Sequence, residues 1–199
     1  MAEKRFQFRD YLTTSNKPSP YTERKPLPEE VSLKNGIVFR GADSSVISHA
    51  KEDLLDYLTV CFGIKGTSNN PLPITINICP EGMEDVGAYK GRIIEVSLDG
   101  IRIRAFDERG ASQALYDLEG AMTAKKQPYL DIGKTKNKPL FAPRLVHSAY
   151  GMDQYPAGYL QVLAKQGIDA IMLTVSGVDE VMSGKTDVKP HTTKVACFP

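Results

Sequence analysis

The sequence predicts an α+β protein, with a small sheet carrying helices on one face, followed by a strand–helix–strand segment. Three observations carry this prediction. Ile94, Val96 and Leu98 alternate with Glu95 and Ser97, and after Asp99-Gly100 the alternation resumes as Ile101, Ile103 and Ala105 against Arg102 and Arg104, the pattern of a hairpin with one apolar face. The spacing then becomes helical, with Ala111, Ala114, Leu115, Leu118, Ala121 and Met122 on one stripe. An earlier stripe of the same period, Val46, Ile47, Ala50, Leu54, Tyr57, Leu58 and Cys61, supplies a second helix for the same layer.

Each element has local punctuation. Residues 1–35 read as an extended arm, because Thr13 to Pro28 is rich in Ser, Thr, Pro and charge. Ile37 to Arg40 is a short strand. Asp43 or Ser44 caps the first helix, and Gly63 ends it in the left-handed conformation with Ile64 folding back. Pro73 opens a strand in which Ile74, Ile76 and Ile78 point one way. Pro80 to Ala88 is acidic, holds two glycines and reads as a loop. Asp107 caps the second helix, with Glu108 in its positive first turn. From Lys125 to Lys138 the chain is polar and basic, and Tyr129 to Ile132 is placed as an edge strand. A boundary near residue 138 separates this α+β domain, 36–138, from a parallel unit at 139–199. That unit has a strand at 145–150, a helix at 156–166, a turn at Gly167 and a strand at 168–175.

Composition narrows the function. The chain has 199 residues, with 25 Lys and Arg against 24 Asp and Glu, so net charge gives no reason to expect nucleic acid or an anionic membrane as partner. No apolar run approaches the roughly 18 residues of a membrane span, and the first ten residues lack the apolar core of a signal peptide. The compartment stays open. Cys61, Cys79 and Cys197 are too few and too scattered for a zinc site or a disulfide framework, and Cys61 reads as a small buried hydrophobe. His49, His147 and His191 are isolated, so no metal or other cofactor is expected. The cluster Glu81, Glu84 and Asp85 has too few oxygen ligands for Ca²⁺ and reads as a solvated loop. No glycine-rich phosphate loop is present, which disfavours a nucleotide-dependent α/β enzyme.

The run Asp99-Gly-Ile-Arg-Ile-Arg-Ala-Phe-Asp-Glu-Arg-Gly-Ala-Ser-Gln-Ala-Leu-Tyr-Asp-Leu118 resembles the accessory domain that precedes the barrel in family 20 β-N-acetylhexosaminidases. A similar domain precedes the barrel of family 67 α-glucuronidases. The resemblance implies a non-catalytic domain before a (β/α)₈ barrel, and residues 139–199 then correspond to the barrel's first βαβ unit. A full barrel takes about 250 residues, so an incomplete barrel segment, and a chain truncated relative to those enzymes, is the expectation.

The resemblance also implies where sugar would be held. In the hexosaminidases an Arg at the start of the first barrel strand grips sugar hydroxyls, and Arg144 stands in a similar place. His147, Tyr150 and Asp153 lie near the expected rim. A guanidinium offers several donors in a fixed fork, which suits vicinal hydroxyls. The pattern departs from the family in having Leu145 where glycine usually follows the Arg, and in lacking an Asp at the strand end. The bland alternative for Arg144 is a structural ion pair. The Asp-Glu pair that does the chemistry in family 20 has no counterpart in the barrel-like segment. Asp179-Glu180 comes too early and reads as the solvated first turn of a short helix. Two functions therefore compete. One is the non-catalytic N-terminal portion of a glycoside hydrolase acting on glycans in full-length form. The other is a stand-alone interaction or structural module without enzymatic activity. Exposed strand edges in the incomplete barrel segment also raise the prospect of self-association.

Overall fold

The computed structural model describes residues 22–66, 69–148, 157–173 and 194–197. They fall into two compact units, divided between Leu140 and Phe141. In the first, the elements in chain order are β1 (Glu30–Ser32), β2 (Ile37–Gly41), α1 (Ser45–Phe62), β3 (Leu72–Ile78), β4 (Arg92–Ser97), β5 (Gly100–Ala105), α2 (Glu108–Lys125), β6 (Tyr129–Asp131) and β7 (Gly133–Asn137). A mixed sheet runs β2-β3-β5-β4-β7. β2, β3 and β5 are mutually parallel, while β4 is antiparallel to both β5 and β7.

Both helices begin, and α1 also ends, as their sequences predict. Ser44 caps α1 by accepting the Ile47 N–H, and Gly63 at φ 71° closes it, with the Ile64 N–H returning to the Leu58 carbonyl. Asp107 caps α2 by accepting the Gly110 N–H at 2.6 Å. The stripes meet over the sheet: Ile47, Ala50, Leu54 and Leu58 of α1 join Ala111, Ala114, Leu115, Leu118 and Met122 of α2 against Ile74, Ile76, Ile94, Ile101 and Ile103. Polar ties fix the helix pair, the Tyr57 hydroxyl lying 2.7 Å from that of Thr123 and the Tyr116 hydroxyl donating to Asp53 at 2.8 Å. Arg92 at the start of β4 grips Asp117 on α2 through two hydrogen bonds of 2.5 and 2.9 Å, and Asn137 on β7 donates to the same carboxylate.

The structure corrects several details. The arm expected over 1–35 does not persist to residue 35: Glu30–Ser32 pairs antiparallel with β6, and Val31 and Leu33 enter the main core. Tyr129–Asp131 therefore pairs with β1 rather than at the sheet edge, and the edge strand is the lysine-rich β7, whose five residues are all exposed. Polar residues suit such an edge, and lysines discourage further strand pairing there. The hairpin turn sits one residue early, at Leu98-Asp99, because Ser97 already pairs with Gly100. Leu98 is consequently 71% exposed, and Ala121 and Ile78 also lie outside the core. Near its start β4 is covered on both faces. Ile94 faces the helices, and Ile93 on the other face packs with Met83 and Val86 from the acidic loop, so that loop covers a second small core. Gly91 and Gly110 are dictated by close backbone approach: a Cβ on Gly91 would lie 1.7 Å from the Val86 carbonyl oxygen, and one on Gly110 would lie 2.6 Å from that of Gly91.

In the second unit, β8 (Leu145–Ser148), α3 (Ala157–Lys165) and β9 (Ala170–Leu173) form a parallel βαβ unit. β10 (Lys194–Cys197) adds antiparallel to β9. Leu163, Ala170 and Ile171 are its buried apolar residues among those described.

Candidate functional site

The residues expected to touch sugar all belong to the segment that enters and leaves β8. Gly167, at φ 75°, ends α3 as the sequence predicts, its N–H donating to the Ala164 carbonyl while the Ile168 N–H returns to that of Leu163. This turn brings Asp169 beside Arg144. The buried Asp169 carboxylate accepts the Arg144 N–H at 2.7 Å, and the Asp169 N–H donates back to the Arg144 carbonyl at 2.8 Å. Ala170 donates to that carbonyl as well, at 3.3 Å. The Arg144 backbone is thus held by a reciprocal pair of bonds just before the strand begins.

The Arg144 side chain is engaged at the same end, donating through Nη1 to the Gln166 carbonyl at 2.9 Å. That carbonyl lies just past the negative end of α3, where a cation is favoured. A carbonyl, not a carboxylate, is thus the partner seen for the Arg144 guanidinium among the described residues. His147 is third in the strand, in register with Met172, roughly 10 Å along the chain from Arg144 at about 3.3 Å per residue. In parallel βα units ligands collect at the carboxyl ends of strands. Arg144 stands at the amino end and His147 near the carboxyl end. Tyr150 and Asp153 lie outside the described residues, as do Asp179, Glu180 and His191.

Sequence reasoning did not find Asp169, whose separation of 25 residues from Arg144 belongs to no local period. Nor did it find the carboxylate of Glu30 in the first unit. That side chain is 1% exposed and accepts from Arg24 at 2.7 and 2.8 Å, from the Leu27 N–H at 2.9 Å and from Lys125 at 2.7 Å. The Arg24 guanidinium, with the Leu27 N–H and Lys125, holds the carboxyl well below the usual range against the opposing effect of burial. Arg24 also stacks 5.0 Å from the ring centroid of the buried Tyr129, whose hydroxyl donates to the Arg24 carbonyl. This network has the character of a structural clamp. It joins the segment before β1 to the end of α2, where Lys125 also donates to Asp131.

Among the described residues no group of three or more His, Cys, Asp or Glu is placed to hold a metal ion, and no helix is long and apolar enough to cross a membrane. Asp85 of the acidic loop lies 3.4 Å from Lys136, and its backbone carbonyl accepts from Lys138.

No protein-family model matches this sequence, and no curated protein does. Solved structures do match. The chain superposes on Flavobacterium johnsoniae chitobiase with TM-score 0.52 and 19% identity, over 71% of this chain and 24% of that one. It superposes on the exo-β-N-acetylglucosaminidase of Vibrio harveyi, solved with N-acetylglucosamine, with TM-score 0.53 and 17% identity over 78% and 24%. For the β-hexosaminidase of Streptomyces plicatus, a mutant solved with product, the values are 0.55 and 16% over 76% and 32%. The chain resembles family 20 β-N-acetylhexosaminidases. Identities this low speak to fold alone, and the chain spans about a quarter to a third of the length of these hexosaminidase structures. The resemblance carried by the run from Asp99 to Leu118 and the resemblance of the fold are separate observations. The first comes from residue order along β5 and α2, the second from backbone geometry over most of the chain.

Proposed function

We propose that this chain supplies the non-catalytic N-terminal portion of a carbohydrate-active glycoside hydrolase of the hexosaminidase type, acting on glycans in its full-length form. The 22–140 unit is the accessory α+β domain, and the βαβ unit after it is the opening of the catalytic barrel. The observation that carries this reading is the superposition on three hexosaminidases over 71–78% of this chain. The Asp99–Leu118 run adds to it, since it folds as a strand followed by a helix capped by Asp107.

In this reading sugar is met by the segment from Arg144 to Asp153. It carries a guanidinium, an imidazole, a phenol and a carboxylate, a set of donors and acceptors suited to hydroxyl groups. Arg144, pinned by Asp169, fixes the entry of that segment into β8; His147 stands near the strand's carboxyl end, and Tyr150 and Asp153 follow it in sequence. In the hexosaminidase type hydrolysis rests on an adjacent Asp-Glu pair, with the substrate's own acetamido group as nucleophile. The segment contributes no such pair, so the chain alone is proposed to bind without turning over.

Two measurements on the purified chain test this. Aryl glycosides of N-acetylhexosamine and of glucuronic acid are expected to remain uncleaved, and turnover that tracks the pure protein would overturn the non-catalytic reading. Titration with N-acetylglucosamine, followed by NMR, is expected to shift resonances within residues 144–153 and to do so more weakly in Arg144→Ala. Shifts confined to residues 22–140, or none at saturating sugar, would remove the segment from sugar contact.

A further inference from the structure

Strand register aligns the outward residues of the sheet into rows on the face that the helices leave uncovered. One row, read across β2-β3-β5-β4-β7, is Arg40, Thr75, Arg102, Glu95 and Lys134. The next row on the same face holds Asn77, Arg104, Ile93 and Lys136. The two rows therefore hold five cations and one anion, with Asp85 of the loop over Ile93 as a second anion beside them, on a chain whose formal net charge is only +1. All five cations are exposed or half-exposed. Glu95 is shared, lying 3.5 Å from Arg104 and 3.6 Å from Lys134, and Lys136 lies 3.4 Å from Asp85. Among the described residues neither Arg40 nor Arg102 has a carboxylate partner. At a strand spacing of about 4.8 Å the row from Arg40 to Lys134 is about 19 Å long.

Such a surface attracts an extended polyanion, and its other features select which kind. Stacking of single-stranded bases calls for aromatic side chains, and these rows hold none. A five-stranded sheet is too broad for a duplex groove about 12 Å wide. Insertion into a bilayer surface needs exposed apolar groups, whereas Ile93, the apolar residue of these rows, is 0% exposed. What remains between the cations is Thr75 and Asn77, neutral hydrogen-bonding groups that match hydroxyls. We propose that the helix-free face of the sheet binds a linear carboxylated polysaccharide laid across the strands. Its carboxylates pair with Arg40, Arg102, Arg104 and Lys134, and its hydroxyls meet Thr75 and Asn77. Arginine forks suit carboxylates in two-point contact. The surface belongs to the 22–140 unit and does not include the segment proposed to touch N-acetylglucosamine, so the two readings stand or fall separately.

The test is binding of polygalacturonate by the full chain, measured by calorimetry, with neutral dextran as control. Binding is expected for polygalacturonate and not for dextran. It should weaken as salt shortens the Debye length from about 30 Å at 0.01 M to about 10 Å at 0.1 M. The double variant Arg40→Gln/Arg102→Gln removes two exposed cations from the row and is expected to lose about tenfold in affinity, with a shallower salt dependence. Lys25→Gln/Lys65→Gln, which removes the same charge from exposed positions off this face, should bind as the parent does. Matching thermal melts establish that the variants are folded. Absence of polygalacturonate binding at low salt, equal losses in the two double variants, or tighter binding of a single-stranded oligonucleotide would each overturn the proposal.

Discussion

Glu30 offers the sharpest single test of how the first unit is held together. Glu30→Ala removes a carboxylate that is 1% exposed and accepts four hydrogen bonds, two from Arg24, one from Lys125 and one from the Leu27 N–H. Hydrogen bonds to charged groups contribute about 1.5–3 kcal/mol each and do not add fully. Breaking a wholly buried pair costs about 3–5 kcal/mol, because it strands the remaining charge. Here the Arg24 and Lys125 side chains are 37% and 24% exposed and can return to water, which lowers the cost. The expected loss is therefore about 2–4 kcal/mol, read as a lower urea midpoint at unchanged slope in melts followed by circular dichroism. The pH dependence gives an independent check. The folded carboxyl is held well below its ordinary range by Arg24 first, then by the Leu27 N–H and Lys125. Its contribution is thus fully present above the unfolded value of about 4.3 and is lost as pH falls below it. The parent protein should lose more stability than Glu30→Ala between about pH 5 and pH 3. Parallel acid profiles, together with a loss under about 0.5 kcal/mol, the usual range for surface substitutions, would show that the clamp contributes nothing.

Three further outcomes follow from the same structure. Leu118→Ala should cost about 2–5 kcal/mol, as buried leucine truncations do, while Arg102→Ala on the exposed face should stay within about 0.5 kcal/mol; equal urea midpoints would mean that the sheet faces are assigned wrongly. Gly91→Ala forces a Cβ to within 1.7 Å of the Val86 carbonyl oxygen, where only backbone movement relieves the clash. It should cost more than the ~1–3 kcal/mol of ordinary overpacking and should speed hydrogen exchange around residues 83–93, and a neutral melt would refute the close approach. Burial pushes the Tyr57 phenol up to about 12 against the favourable bond to Thr123, so its neutral-form advantage is complete below the ordinary tyrosine value of about 10 and is lost as pH rises through the folded value. An absorbance titration of the nine tyrosines should show a late-ionising fraction that Tyr57→Phe reduces, and a single step near pH 10 would count against it.

Much of the first unit was legible because its elements announce themselves locally. Ser44, Gly63 and Asp107 cap helices by contacts within five residues, and the stripes of α1 and α2 repeat at a period that only a helix satisfies. The misreadings arose where a partner lies far away in sequence. Val31 and Leu33 sit in a polar, proline-rich stretch, and their burial depends on β6, about a hundred residues later. β7 reads as a basic linker because both its faces are polar, and it becomes a strand only through β4. The loop at 80–88 looks wholly solvated until Met83 and Val86 are set over Ile93. In each case tertiary pairing, not local propensity, decides the conformation.

The same division of local from distant information explains why function was less legible than fold. Alternation along β5 tells the reader that Arg102 and Arg104 leave the core, and alternation along β7 would say the same of Lys134 and Lys136. It does not say that Arg102 and Lys134 stand in line with Arg40, or that Arg104 and Lys136 line up in the next row. That alignment depends on the registers of Arg40 with Thr75, of Thr75 with Arg102, and of Glu95 with both Arg102 and Lys134. Two of those pairings join parallel strands separated by crossovers, so no short window contains them. The charge balance of the whole chain, 25 against 24, conceals the segregation completely. A near-neutral total therefore excludes a uniformly basic protein, but it does not exclude a basic face. Arg144 shows the converse. Family resemblance supplies a residue type and a place in the strand order, yet the fork's partner, the Gln166 carbonyl, comes from the turn that closes α3. The guanidinium expected to grip sugar is thus engaged at the amino end of its strand, by a carbonyl 22 residues away that no local window around Arg144 contains.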